Sequence, residues 1–278
     1  MRIDAHHHLW DLGRRPQPWL TGEALAPIDR TFTLDELRPH LAAHGIDATV
    51  VVQSSSSLDE TRELLDAAAG SGGLIAGVVG WADLTDPELP TVLASLAGAG
   101  PLVGIRHQVQ DEADPWWLAR PEVRDGLAAV AAAGLVYDLL VTPRELPAAL
   151  DTVAALPELH FVLDHGAKPP IASGDWQPWA DRITELAALP NASCKLSGLI
   201  TEADWHAWRP QDILPYARHL LTAFGPERVL FGSDWPVCTL AGQYADAYAL
   251  AEQAVAALPP SDRAAVLGDT ATRVYNLA

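Results

Sequence analysis

Residues 4–8 of the chain read Asp-Ala-His-His-His, and residues 232–236 near its other end read Gly-Ser-Asp-Trp-Pro. Side chains alternate between the two faces of an extended strand, so we expect Asp4, His6 and His8 to point in one direction. Two imidazoles on one rigid strand can reach the same metal ion or substrate, and a catalytic zinc site adds a carboxylate and a position for water. Apolar residues flank the histidine run, which favours a functional strand over an expression tag or a solvated polar segment.

Short apolar runs recur along the chain and are predicted to be strands. They cover about residues 2–8, 48–54, 74–82, 102–108, 135–141, 159–165, 193–198 and 229–234. Most are rich in valine, isoleucine and leucine rather than cleanly alternating, which is typical of strands buried on both faces.

Alanine- and leucine-rich stretches with helical spacing separate these runs. Examples are Leu34 to Ala43, Asp59 to Ala69, Pro121 to Ala133, Pro143 to Ala155 and Tyr216 to Phe224. Helices are predicted to start at Thr33, at Thr142-Pro143 and at Ser261, because hydroxyl side chains cap helix N-termini and proline fits the first turn. The predicted stop signals are Gly45, Gly134 and Gly225.

This alternation of strand and helix predicts an α/β protein, with residues 1–278 forming a single (β/α)8 TIM barrel domain. The competing architecture is a doubly wound open sheet. It would usually carry a glycine-rich phosphate turn after the first strand, and none follows His8. The stretch at about residues 9–32 has no helical or strand period, and it is predicted to be a long, functional loop after the first strand.

The side-chain charges sum to −18, from 18 basic and 36 acidic residues. Such a surface disfavours nucleic acid and anionic membranes as partners, and an acidic group on a substrate would need a local arginine. No apolar run is long enough to span a membrane, no secretory signal is visible, and two cysteines do not make a disulfide framework. We therefore expect a cytoplasmic protein, and a homo-oligomer is one option for its assembly.

In a barrel, functional side chains collect at the C-terminal ends of the strands, and the first and last strands are neighbours. His6, His8 and Asp234 are therefore expected to meet although they are far apart in sequence. Other polar or aromatic groups predicted at this end are Gln53, Trp81, Asp83, Arg106, His107, Asp138, Asp164, His165 and Lys195. Lysine occurs only at positions 168 and 195, both at predicted strand ends rather than on a solvated face.

Several of these residues have structural alternatives to a functional role. His165 is either a core histidine or, as we favour, a metal ligand or catalyst, whereas Asp164 is expected to cap the following turn. The forked donors of Arg106 suit either an acidic side chain on the barrel rim or a substrate carbonyl or carboxylate. His107 is expected to face away from Arg106 unless the strand has ended, and Cys194 is expected to be a buried thiol.

Five segments carry a family resemblance. They are residues 4–10 (DAHHHLW), 104–107 (GIRH), 161–165 (FVLDH), 194–199 (CKLSGL) and 231–238 (FGSDWPVC). In this order they resemble the amidohydrolase superfamily and, within it, the amidohydrolase-related branch of sugar-acid lactonases. The resemblance implies a barrel hydrolase with one divalent metal, zinc or a similar ion, on His6, His8, His165 and Asp234.

The resemblance also implies that Asp234 is the base for the attacking water. Many superfamily members carry a lysine or glutamate metal ligand on the fourth strand, where this chain has Arg106-His107. The related lactonases include members that bind metal loosely or not at all. We therefore expect a weakly held ion that supports the reaction without being essential.

The predicted reaction is the opening of the ring ester of a sugar-acid lactone by water. Asp234, His165 and Arg106 are the predicted catalytic residues, with the metal or a nearby cation stabilising the oxyanion. The predicted substrate-binding residues are Arg106, His107, Gln53, Trp81, Lys195 and Trp116. For Trp116, plain packing is the alternative to a platform for a sugar ring.

Two other functions compete with the lactonase prediction. The same branch includes metal-dependent decarboxylases of unsaturated carboxylates, which metal content and carbon dioxide release would distinguish. The second is a non-catalytic binding protein on an inactive barrel, and the intact set of candidate ligands argues against it.

Overall fold

The strands form a closed barrel of eight parallel strands in chain order, in a computed structural model that describes residues 1–277. They are β1 (Ile3–His7), β2 (Ala48–Val52), β3 (Ile75–Gly80), β4 (Leu102–His107), β5 (Val136–Leu139), β6 (Phe161–Leu163), β7 (Ala192–Leu196) and β8 (Val229–Phe231). The barrel closes where the Asp234 N–H donates to His6 O at 2.8 Å and the His8 N–H donates to Trp235 O at 2.7 Å. The predicted (β/α)8 TIM barrel is confirmed, and every strand end lies within three residues of its predicted position.

Helices follow the strands around the outside of the barrel. Within residues 1–277 they are α1 (Leu34–His44), α2 (Leu58–Gly70), α3 (Leu89–Ala97), α4 (Pro121–Ala132), α5 (Leu146–Ala155), α6 (Trp179–Ala187), α7 (Pro210–Phe224), α8 (Tyr244–Val255), α9 (Pro260–Ala264) and α10 (Thr270–Val274). No helix in this part of the chain is both long and apolar enough to cross a membrane.

Of the three predicted helix starts, the one at Thr33 is confirmed, the one at Thr142-Pro143 is too early, and the one at Ser261 is one residue late. Thr33 caps α1, and its backbone N–H donates to Glu36 Oε2 at 3.1 Å in a capping box. Helix α5 begins at Leu146 rather than at Thr142-Pro143, because the Glu145 carboxylate accepts from both the N–H and the hydroxyl of Thr142 and holds a turn there. Helix α7 begins at Pro210, six residues before the predicted helical stretch, and α9 begins at Pro260, one residue before Ser261.

The barrel interior changes character along its axis. Alternate residues of a strand share a face, so Val136 and Asp138 of β5 both point inward, as do Val162 of β6 and the adjoining Asp164. The valines belong to an apolar inner core, whereas the two aspartates and Lys195 form a fully buried charged layer above it. This layer supports the C-terminal end of the barrel, where function was predicted.

The predicted long loop after β1 is more structured than its sequence suggests. It contains a 3-10 helix at Glu23–Ile28 and an antiparallel bridge between Trp10 and Phe32. The indole N–H of Trp10 donates to Arg30 O at 2.6 Å, which ties the start of the loop to its end. The loop is therefore held against the barrel by its own contacts.

Candidate active site

Three imidazoles and one carboxylate meet at the C-terminal end of the barrel. His6 Nε2 lies 3.2 Å from His8 Nε2, and these atoms lie 3.7 and 3.4 Å from Asp234 Oδ1. His165 Nε2 lies 3.9 Å from the same oxygen. The structure thus brings together all four predicted metal ligands.

Asp4 does not join this cluster, contrary to the alternation expected along β1. Its carboxylate accepts from the Ser233 N–H at 2.8 Å and from the hydroxyl of Tyr244, on α8, at 3.1 Å. The pairing register of β1 with β2 shifts between Asp4 and His7. Because of this irregularity, Asp4 and His6 do not point to the same face although they are two residues apart. Asp4 instead ties the segment that follows β8 to an outer helix.

A buried charged network supports the cluster from below. Lys195 Nζ lies 2.5 Å from Asp138 Oδ2, 3.0 Å from Asp164 Oδ1 and 3.0 Å from His6 Nδ1. Tyr275 donates its hydroxyl hydrogen to Asp138 Oδ1 at 2.8 Å. The charges compensate one another in a region that water does not reach, so the network holds His6 in place.

Asp164 belongs to this network and does not cap the turn that follows it, so the predicted capping role is wrong. Arg106 donates from Nη1 to Asp164 Oδ2 at 2.9 Å and from Nη2 to the carbonyl of Gln53. The acidic partner foreseen as one option for Arg106 is therefore present, but inside the barrel instead of on its rim. Arg106 Nη1 also lies 3.4 Å from His6 Nε2, which leaves it close to any substrate at the cluster.

Burial sets the ionisation of these groups. It lowers the pKa of His6 well below its ordinary value and that of His165 to about 4, so both rings are neutral near pH 7. Burial alone would raise the pKa of Asp234, but His165, His8 and Lys168 outweigh it and the pKa lies below its usual value. Asp234 is therefore a carboxylate at neutral pH, as a general base must be.

Three site residues have an unusual backbone conformation. His165, Lys168 and Asp234 have φ angles of +52°, +52° and +58°, in the left-handed region that side chains other than glycine rarely adopt. Gly198, at φ +65°, lies directly against His165: a Cβ added there would come within 2.5 Å of His165 Nδ1. The chain thus keeps glycine where the imidazole of His165 needs room.

A cavity of about 190 Å³ opens onto the cluster. Its wall includes the predicted His8, Arg106, His165 and Asp234. It also includes residues that were not predicted as site residues, among them Trp19, Ser54, Gln108, Gln110, Lys168, Thr201 and Glu202.

Most of the predicted substrate-binding residues lie off this cavity. Gln53 and Lys195 are buried beneath it and bond to Arg106 and to His6. Trp81 donates its indole hydrogen to His107 Nδ1 at 3.0 Å, and His107 contributes to a neighbouring cavity of about 540 Å³. Trp116 is 51% exposed and lines neither cavity. Of the predicted set, Arg106 alone reaches the cavity wall.

The missed residues gave weak sequence signals. The scarcity of lysine did single out Lys168, and its place after β6 could have assigned it to the site. Glu202 lies in the 3-10 helix Leu199–Glu202 after β7, where no periodic pattern indicates a direction. Both are loop residues whose orientation depends on the folded loop.

Comparison with known sequences agrees with this geometry. A family model described as amidohydrolase matches residues 3–277. An L-fucono-1,5-lactonase of Burkholderia ambifaria is 44% identical over 283 residues, which cover 99% of this chain and 96% of that protein. An L-fucono-1,5-lactonase of Burkholderia multivorans is 41% identical over 293 residues, with 100% and 96% covered.

Solved structures give the same picture. Two crystal structures of an amidohydrolase from Burkholderia multivorans, one with bound HEPES and one with bound zinc, each superpose with a TM-score of 0.94. Their sequences are 39% identical to this chain, and the matches cover 100% of both chains.

Proposed function

Because the chain belongs to the amidohydrolase family, we propose that it is a lactonase that hydrolyses the ring ester of a sugar-acid lactone. The similarity to two L-fucono-1,5-lactonases over nearly the whole chain supports this substrate class. The observation that carries the proposal is the position of Asp234, a buried carboxylate at the junction of three imidazoles and a cavity.

Asp234 acts as the general base in this proposal. A water molecule beside Oδ1 gives a proton to the carboxylate while its oxygen bonds to the lactone carbonyl carbon. The tetrahedral intermediate then collapses, the bond from that carbon to the ring oxygen breaks, and the ring oxygen leaves as a hydroxyl with the proton from Asp234. The new carboxylic acid ionises and releases one proton to solvent.

Arg106 and His165 act beside the base. Arg106 lines the cavity, so a guanidinium hydrogen that Asp164 does not occupy can stabilise the oxyanion that forms on the carbonyl. His165 is held by the contact of its Nδ1 with Ser197 Oγ at 2.8 Å, which fixes the ring with Nε2 toward Asp234. These roles follow from position at the cavity.

The set of His6, His8 and Asp234 fits one divalent ion, with His165 beside it, and we propose zinc. Ligand atoms at about 2.0–2.1 Å from a tetrahedral ion lie roughly 3.3 Å apart, close to the separations among His6, His8 and Asp234. His8 donates from Nδ1 to Val52 O at 2.8 Å, which leaves the Nε2 lone pair for a metal. A bound ion would lower the pKa of a water molecule and polarise the lactone carbonyl.

A panel of aldonolactones that includes L-fucono-1,5-lactone tests the function. Each turnover releases one proton, so a pH indicator in weak buffer reports hydrolysis. The proposal predicts rapid acidification with at least one member of the panel. Failure to open any lactone would refute it, and carbon dioxide release from an unsaturated carboxylate would indicate a decarboxylase.

The cellular setting is part of the proposal. Free, fully buried thiols at Cys194 and Cys238 are compatible with a reducing compartment, so we place the enzyme in the cytoplasm. Opening a sugar-acid lactone gives an open-chain aldonate, which suits a step of carbohydrate catabolism.

A further inference from the structure

We propose that Lys168 binds the carboxylate that lactone hydrolysis creates, and that Glu202 limits how tightly this product is held. The inference rests on the proposed lactonase function and adds a residue pair that controls the affinity for the product. It concerns the half of the cavity wall formed by the loops after β6 and β7.

Lys168 is positioned to meet a ligand. It lines the cavity with His165 and Asp234, and its side chain is 26% exposed. Its ammonium lies 4.0 Å from Glu202 Oε1, beyond hydrogen-bonding distance, and it donates no hydrogen bond within residues 1–277. The ammonium therefore has donors available for an anion in the cavity.

The other two cations near the cluster already form ion pairs with buried aspartates, although Arg106 keeps a guanidinium hydrogen for the oxyanion. Arg106 has 3% of its side chain exposed and is bonded to Asp164 and to a backbone carbonyl. Lys195 is fully buried between two aspartates and His6. Of the three cations, Lys168 is consequently the one that can bind a new carboxylate without giving up a hydrogen bond to an aspartate.

The reaction creates such a group from a neutral one. A sugar lactone carries no charge, whereas its hydrolysis product carries a carboxylate. A protein with a net charge of −18 repels that anion at long range, so its retention depends on a local cation. A hydrogen bond between an ammonium and a carboxylate is charge-assisted and distinguishes the product from neutral polyols of the same size.

Glu202 opposes this attraction. Its side chain is 25% exposed and lines the same cavity. A carboxylate in the cavity wall repels the product carboxylate and competes with it for the Lys168 ammonium. The pair thus provides a cation for the nascent carboxylate without trapping the product.

Calorimetric titration with L-fuconate and with L-fucitol tests the inference. L-fuconate has a carboxylate where L-fucitol has a hydroxymethyl group. The difference between their affinities therefore reports the contribution of the negative charge. Lys168→Met should weaken L-fuconate binding about 10-fold or more, the usual effect of losing a charge-assisted hydrogen bond, and should leave L-fucitol unchanged. Arg218→Met is the matched control, because Arg218 is an exposed cation on α7.

Two further variants test the predicted direction of the change in L-fuconate affinity. Glu202→Gln should bind L-fuconate a few-fold more tightly, because it removes a repelling carboxylate, and Lys168→Arg should keep most of the preference for L-fuconate over L-fucitol. Unchanged L-fuconate binding in Lys168→Met, equal weakening of both ligands, or weaker binding in Glu202→Gln would overturn the inference. So would a wild-type protein that does not bind L-fuconate at millimolar concentration.

The two proposals fail separately. If the wild type opens no lactone, the proposed function is wrong. If it opens L-fucono-1,5-lactone while Lys168→Met binds L-fuconate as Arg218→Met does, only the role of Lys168 is wrong.

Discussion

Lys195 Nζ lies 3.0 Å from His6 Nδ1, and both side chains are fully buried. Both Lys195 and Arg106 can only donate, and the Lys195 contact is the shorter one, so we assign His6 Nδ1 as the acceptor and place the ring hydrogen on Nε2; the Arg106 Nη1 contact with Nε2, at 3.4 Å, is then not a hydrogen bond. That hydrogen points to His8 Nε2, 3.2 Å away, into the place a metal would take. A metal can bind His6 only if the hydrogen leaves or moves to Nδ1, where Asp164 Oδ1, at 3.3 Å, can accept it.

We therefore expect the metal to be weakly held. The purified protein should contain substoichiometric zinc or another divalent ion, because metal binding must displace a hydrogen bond that Lys195 stabilises. Activity should change only modestly after extended dialysis against chelator. Elemental analysis and a lactone assay before and after dialysis measure both quantities. One tightly bound ion per chain, with activity lost on its removal and restored by zinc, would make the metal essential.

Asp234→Asn should lower turnover by about 10² or more while keeping the fold and lactone binding, because the amide cannot accept a proton from water. The assay compares kcat and KM, and circular dichroism checks the fold. Asp35→Asn is the control, since that carboxylate lies on α1 and is 92% exposed. Near-normal turnover in Asp234→Asn would mean that another group is the base.

Arg106→Lys should reduce kcat/KM about 10-fold or more. A lysine can replace the contact with Asp164, but it cannot also donate to the carbonyl of Gln53 and to a substrate oxygen, as the fork can. Steady-state kinetics with the best lactone of the panel test this. Kinetics equal to those of the wild type would limit Arg106 to a packing role.

Gly198→Ala should reduce stability and activity together. The added methyl would come within 2.5 Å of His165 Nδ1, and the residue has φ +65°. Gly134→Ala is a matched control, because Gly134 has φ +71° but no atom within 4 Å of the added Cβ. Backbone strain alone should cost about 1 kcal/mol of unfolding free energy in the control. A similar loss in both variants, measured by urea denaturation, would show that His165 tolerates the methyl.

The meeting of His6, His8 and Asp234 was predictable because it depends only on strand order. A closed barrel makes β1 and β8 neighbours whatever their exact register, and His6 and His8, two positions apart at the end of β1, stay close. The helix starts were less accurate at prolines. Pro215, inside α7, suggests a boundary in sequence, yet the helix continues through it.

The roles of Arg106 and Lys195 were harder to predict because they depend on which strands supply inward carboxylates. Strand-end position alone suggested substrate contact for both. In the structure Asp138 and Asp164 reach Lys195 from two neighbouring strands and bury it. Such pairing depends on the strand register and on how deep each side chain lies inside the barrel. The pattern of apolar residues in the sequence predicts neither of these. The positions of the Lys168 and Glu202 side chains depend on loop conformation, which the sequence predicts even less well.

The contact between Tyr275 and Asp138 makes the hydrogen bonds of the charged layer depend on a residue that is synthesised late. Asp138 leaves the ribosome 137 residues before the hydroxyl that completes its hydrogen bonds. A nascent chain that has already made all eight strands therefore still lacks one of the two side-chain donors that bond to Asp138. A chain that stops before Tyr275 would leave Asp138 bonded to Lys195 without the phenol, and the less stable barrel would be more open to cellular proteases. The hydrogen bonds of the charged layer are therefore complete only after Tyr275 has been synthesised.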